Sequence, residues 1–176
     1  MMPLIRRWLS LPEDEADVVS VLIEGHDRIR DFVELAVVVG ERGELGSPEL
    51  VEDVQRIERY FSKSYPLHVA DEETSVLPRL RGRSSRIDAA LYRMQEQHRV
   101  HEHMIRRLCA QASALSIDPK DAVARDAIGA VARPLRALME DHLHGEAKVV
   151  FPAVRTHFTP AEQRTIRREM IDRRRA

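Results

Sequence analysis

Cysteine is nearly absent: Cys109 is the only one among 176 residues. That excludes an internal disulfide framework and a thiolate cage for a metal, and it fits a reducing cytoplasm. Long apolar runs are missing as well. No stretch approaches the roughly 20 residues that a membrane span needs. The opening MMPLIRRWLSLPEDE has an apolar stretch too short and too interrupted for a secretory signal. Charge of one sign is not in excess either, with 28 Lys+Arg against 29 Asp+Glu and a formal net charge of −1. No overall attraction to nucleic acid or to a membrane surface follows, so neither is expected as a partner. Strand-like alternation never extends beyond a few residues, which leaves no basis for a sheet.

What is present favours helices. Charged residues make up 32% and hydrophobic residues 43% of the chain, a globular composition long enough for one domain with a substantial core. Ser10-Leu11-Pro12-Glu13 carries a capping signature, which predicts a first helix over about residues 12–39, stopped by Gly40, Gly43 and Gly46. Ser47-Pro48 opens a second helix reaching about Leu80, with a kink expected at Pro66. After a break at Gly82 and Ser84-Ser85, a third covers about residues 86–115. Asp118-Pro119 opens a fourth, running to about His157 with Pro134 inside it. Thr159-Pro160-Ala161-Glu162 repeats the capping signature and starts a short basic fifth helix. The six arginines from Arg164 to Arg175 read as a solvated face. Nothing resembles a linker, so residues 1–176 form one domain, with a bundle core over about residues 12–157.

Each long segment carries an inward stripe in steps of three and four. The stripes are Val19, Leu22, His26, Ile29, Val33 and Ala36; Leu50, Val54, Ile57, Phe61, His68, Glu72 and Val76; Leu91, Met94, His98, His101, Ile105 and Leu108; and Val131, Leu135, Leu138, His142, Glu146 and Val149. Four such stripes joined by short loops predict an all-α fold: an antiparallel up-down four-helix bundle, with a short N-terminal arm and a short C-terminal fifth helix.

Every stripe is apolar except at one level. There it offers His26, then His68 with Glu72, then His98, then His142 with Glu146. Two carboxylates and four imidazoles in one core make poor packing, since an unpaired buried charge is costly. A pair of cations accounts for them, because imidazole nitrogen and carboxylate oxygen suit iron. His68 and Glu72 are four residues apart, as are His142 and Glu146, so each pair shares a helix face. A glutamate placed between two metals can bridge them while its histidine binds one.

An internal repeat supports the pairing. His68-Val-Ala-Asp-Glu72 continues to Leu77-Pro78, and His142-Leu-His-Gly-Glu146 continues to Phe151-Pro152. His26 precedes His68 as His98 precedes His142, at nearly equal intervals. Two helical hairpins would therefore face each other with rough two-fold symmetry.

The segments PLHVADEETSVLPRL and DHLHGEAKVVFPAV, with EGHDRIR and EQHRVHEH, resemble the four motifs of the hemerythrin-like, or HHE cation-binding, family. The resemblance spans about residues 22–154. It implies two non-haem irons, with an oxo or hydroxo bridge, in a four-helix bundle. Carried over by position, His26 and His68 would hold one iron, His98 and His142 the other, and Glu72 and Glu146 would bridge. Oxygen-carrying members have a second histidine one turn after the helix 3 histidine, where this chain has Glu102 with His101 beside it. The a/d seam favours His101 as an additional ligand, and the one-turn spacing favours Glu102. The helix 4 carboxylate of those members lies five residues after its histidine, whereas Glu146 lies four after His142. Both departures argue against simple oxygen carriage.

His103, His144 and His157 fall off the stripes and should be solvated. Tyr60, Tyr65 and Tyr92 read as core-edge residues and Cys109 as inert; Gly145 either leaves room beside the metals or permits close helix packing, with packing the favoured reading. The expected function is the handling of a small ligand, oxygen, nitric oxide or peroxide, at a carboxylate-bridged di-iron centre. An iron or oxygen sensing module and a catalase-like or oxidase enzyme are the alternatives.

Overall fold

The computed structural model describes residues 17–175. The expected cap at Ser10, the N-terminal arm and the first residues of helix 1 lie outside them. Helix α1 spans Val18–Glu41, and the Asp17 carboxylate caps it by accepting the Val19 N–H. It does not stop at Gly40. A Cβ there would lie 2.3 Å from Gly129 Cα, so Gly40 is the point where α1 touches the fourth helix backbone to backbone.

The second segment, α2, is one rod with two widened turns. It runs α-helically over Pro48–Arg59, as a π-helix over Tyr60–Ser64, α-helically over Tyr65–Ala70, as a π-helix again over Asp71–Val76, and ends with Leu77–Leu80. Each widened turn closes on the residue before a proline. Tyr65 N–H donates to the Tyr60 carbonyl, and Leu77 N–H to the Glu72 carbonyl. Pro66 and Pro78 lack the N–H of an α-helical bond and crowd the preceding turn. The longer-range bond carries the ladder past each ring. The kink expected at Pro66 is thus a π turn, and it has a counterpart at Pro78.

Helix α3 covers Ser85–Ile117, capped by Ser84 Oγ accepting the Ile87 N–H at 3.2 Å. Helix α4 covers Ala122–Lys148. It starts later than Asp118-Pro119 because Asp121 is the cap, accepting the N–H groups of Val123 and Ala124 at 2.9 Å each, while the Asp118 N–H ends α3 on the Ala114 carbonyl. The helix breaks at Val149, and α5 continues over Val150–His157. Helix α6 spans Pro160–Arg173 behind a complete capping box of Thr159 and Glu162.

The result is an all-helical bundle with no strand among the described residues. Helix α1 packs on α4 and α2, and α3 packs on the same two, which closes a ring of four neighbours. The apolar core falls into two clusters. One gathers Ile29 to Val39 of α1, Leu50 to Tyr65 of α2, Ile105 to Leu115 of α3 and Ala124 to Leu143 of α4. The other gathers Val18 to Leu22, Val76 to Leu80, Ile87 to Met94, Val150 to Val154, and Ile166 and Met170 of α6.

The stripes expected on α1, α2 and α3 are buried throughout. On α4 two positions are corrected: Val149, at the break that ends the helix, is only half-buried, and Leu138 gives way to Met139. Leu138 is 40% exposed and Met139 only 2%, because the seam steps by four from Leu135 to Met139 and then by three to His142. The basic tail is a further correction. Arg167 is buried and Arg173 and Arg174 are half-buried, because Asp71 of α2 draws the latter two inward. Among the described residues, no helix is long and apolar enough to cross a membrane.

Candidate metal centre

Between the two apolar clusters lies a layer of buried polar side chains. It holds His26 from α1, His68 and Glu72 from α2, His98 and His101 from α3, and His142 and Glu146 from α4. Each helix reaches this level on its apolar seam, so the polar groups meet where the seams meet. Glu72 sits in the second π turn of α2, a kind of turn often found at functional sites.

The two carboxylates each face both ways. Glu72 Oε1 lies 3.0 Å from His68 Nε2 and 3.7 Å from His26 Nε2, while its Oε2 lies 3.3 Å from His98 Nε2. Glu146 Oε2 lies 2.9 Å from His26 Nε2, while its Oε1 lies 3.2 Å from His142 Nε2. His98 and His142 meet through their Nε2 atoms at 3.2 Å. Two groups of donors follow, each compact enough for a cation: His26 with His68 and Glu72, and His98 with His142, Glu72 and Glu146.

These contacts are short but do not align as hydrogen bonds. The Nε2 atoms of His26 and His68 and all four oxygens of Glu72 and Glu146 are buried without a hydrogen-bond partner. Six such atoms in one core would cost several kcal/mol if nothing satisfied them. A donor set of imidazole nitrogen and carboxylate oxygen is the kind that binds first-row transition metals. The residues present therefore fit a metal centre.

Outer contacts fix two of the rings. His98 Nδ1 meets Glu73 Oε1 at 2.8 Å, and His142 Nδ1 meets Gln97 Oε1 at 3.1 Å. Gln97 Nε2 in turn donates to Asp141 at 2.9 Å. Partners of this kind set the ring orientation and leave Nε2 free to ligate. Gly25 makes room for His68, since a Cβ there would lie 2.6 Å from its Nδ1. Glu73, Gln97 and Gly25 escaped the sequence reading. Only Gly25 carried a usable signal, because glycine inside a helix is disfavoured by roughly 1 kcal/mol relative to alanine.

The electrostatics follow from crowding charges out of water. Burial alone would lower the His26 and His98 imidazoles. Glu146 and Glu72 outweigh it at His26, and Glu72 and Glu73 at His98, holding both up at about 9. Burial and the charge of Glu72 push Glu146 up to about 7. Burial opposes ionisation of Glu72 too, but His68, His26 and His98 hold its carboxyl well below the usual range. Burial and the neighbouring His98 push His101 down to about 4. Burial, with His98 and His101 outweighing the pull of Glu72, holds His142 well below the ordinary histidine range.

The two further candidates, His101 and Glu102, lie in different surroundings. Glu102 is not at the centre: its side chain is 69% exposed and lies 4.0 Å from Arg106. The α3 seam runs Met94, His98, His101, Ile105, Leu108, and position 102 falls outside it. His101 is 1% exposed, with its ring 5.1 Å from that of His142. Its Nδ1 lies 3.5 Å from the Tyr65 hydroxyl. It lies in the polar layer but outside both compact donor groups.

His103 and His144 are exposed and His157 is half-buried. Tyr60 and Tyr65 are buried and Tyr92 is exposed. Burial raises the half-buried Cys109 thiol to about 11, which matches an inert thiol. Gly145 is a correction: nothing lies within 4 Å of a Cβ built there, so it serves no close packing. It lines a cavity of about 250 Å³ beside His142 and Glu146. A larger cavity of about 510 Å³ between α2 and α3 is walled by Phe61, Tyr65, Val69 and Ile105 and reaches His98 and Glu73.

Residues 17–154 match the model of the hemerythrin HHE cation binding domain. No curated protein matches the chain.

Proposed function

The chain belongs to the hemerythrin HHE cation-binding family, and from that membership we propose that it holds two non-haem irons, joined by an oxo or hydroxo bridge, and handles a small ligand such as oxygen, nitric oxide or peroxide. In this reading His26 and His68 would hold one iron, His98 and His142 the other, and Glu72 and Glu146 would bridge. One observation carries it: each carboxylate directs one oxygen toward each histidine pair. The four long helices are then in antiparallel up-down order, which accounts for the early half of α1 sharing a cluster with the late half of α2.

The irons would supply a redox-active Lewis acid. The chain's own residues do the rest. Glu73 and Gln97 orient the His98 and His142 rings. Phe61, Val69 and Ile105 would give a ligand approaching His98 an apolar wall to pass along. The lone Cys109 suits a reducing cytoplasm, which we take as the location.

Quantitative metal analysis of protein purified with iron, together with its optical spectrum, tests the reading. We expect two irons per chain and a bridged-ferric charge-transfer band after oxidation. Saturation at one metal without that band would refute it. Turnover of peroxide by the loaded protein separates an enzyme from a binder.

A further inference from the structure

Helix α6 lies beyond the family-matched residues 17–154, yet its end is fastened to the turn that carries Glu72. Asp71, the residue before Glu72, is 1% exposed and points away from the metal layer into α6. Arg173 pairs with its Oδ1. Arg174 approaches the same carboxylate through Nη1 at 3.1 Å and Nη2 at 2.6 Å. Arg173 Nη2 also donates to Thr74 Oγ1 at 2.8 Å and Ser75 Oγ at 2.9 Å. Arg79 donates to the Ser75 carbonyl at 2.7 Å and pairs with Glu169 of α6, also at 2.7 Å. All these acceptors on α2 fall inside the π turn Asp71–Val76.

A π turn has poor intrinsic stability and persists where its surroundings hold it. This one is held on two sides. Asp71 and Glu72 are consecutive and project in different directions, one into the arginines and the other into the histidines. Any rotation of the turn that relaxed the first would swing the second. A buried carboxylate without its cations would also be costly, so the turn cannot release the arginines cheaply. Guanidinium forks resist rotation better than single point charges do.

We propose that α6 is a positioning element for the metal centre: Arg173 and Arg174, gripping Asp71, set the reach of Glu72 across both histidine pairs. Coupling of this kind is reciprocal, so metal loading tightens the docking of α6 in return. The proposal rests on the metal-pair reading above. Ile166 and Met170 anchor α6 in the second apolar cluster independently of the arginines, so removing the charges does not remove the helix.

The test combines ferrous iron titration against a competing chelator with amide hydrogen exchange, on the full chain. For Arg173→Gln/Arg174→Gln we expect iron affinity to fall by roughly tenfold or more, the scale seen for residues that orient ligands. Exchange over residues 71–76 should quicken, while α1 stays protected. Arg173→Lys/Arg174→Lys should recover part of both effects, and Asp71→Asn should reproduce the loss if the double glutamine variant misfolds. Stripping iron from the wild type should quicken exchange over residues 160–173. Unchanged iron affinity with faster exchange in α6 alone would overturn the proposal and leave α6 a structural cover. A wild type that takes up no iron pair would instead defeat the proposed function. The comparison of metal-free proteins over residues 71–76 would still decide whether the arginines hold the turn.

Discussion

At the scale of single residues, the centre depends on buried imidazoles and carboxylates that face one another at short range without aligned hydrogen bonds at Glu72 and Glu146. Glu72→Ala or Glu146→Ala should remove most bound iron, because each carboxylate serves both histidine pairs, whereas the exposed His144→Ala should keep it. Metal content of the three purified variants checks this. Protons give a second handle. Without metal, His26 and His98, held up at about 9, are charged at pH 7, and Glu146, raised to about 7, is partly protonated. A metal must displace these protons. Calorimetry in buffers of different ionisation heat should therefore show proton release on loading at pH 7, and affinity should rise with pH until about 9. The stability sign is fixed as well. Histidines raised above 6.5 contribute stability that is fully present below that value and lost as pH rises through 9. Glu146, raised above 4.5, contributes stability lost as pH rises through 7. Melting temperatures of metal-free protein should fall from pH 6.5 to 9, with the gap to loaded protein widening. The inward position of the six ligand candidates was legible from sequence because each recurs at one level of an otherwise apolar seam. Glu73 and Gln97 were not, since helical spacing alone does not tell an orienting neighbour from a solvated one.

At the scale of elements, periodicity reads most of the bundle and misses where a helix changes phase. Met139→Ala should cost about 2–5 kcal/mol, as buried large-to-small changes do. Leu138→Ala should cost under about 1 kcal/mol, a surface-like effect; urea melts of the two variants compare them. The stripe on α4 was misjudged at Leu138 because steps of three and four are equally regular until the partner helix selects one. The two π turns of α2 were half legible. Proline announces a disturbed ladder, but whether the helix breaks, bends or widens depends on what the turn packs against, here the arginines of α6. Those arginines were read as solvated because their partner Asp71 lies about a hundred residues earlier, beyond the reach of any local pattern.

At the scale of the whole molecule, iron should be a large part of the stability. A ligand at a hundredfold excess over its Kd adds about 2.7 kcal/mol to the folded state. For a chain of this size, that corresponds to roughly 5–11 °C in melting temperature. Chelation should lower the melting temperature by at least that much while helical circular dichroism at room temperature persists. The class of fold was legible because four stripes and short loops leave few ways to bury them. The partition of the core was not, because a stripe does not show whether its apolar halves belong together. Seven buried polar residues separate one apolar cluster from the other, and that layer sets how the molecule comes apart. With iron in place the layer is a rivet, and both halves must fail in one all-or-none step. Without it, a layer of buried polar groups divides the smaller end, closed by α6, from the larger one, and the smaller end should melt first. Scanning calorimetry should show a single transition with matching calorimetric and van't Hoff enthalpies for the loaded protein, and a broadened or divided one after chelation. On the proposed reading, metal loading would decide not only how firmly the bundle stands but whether it behaves as one cooperative unit or two.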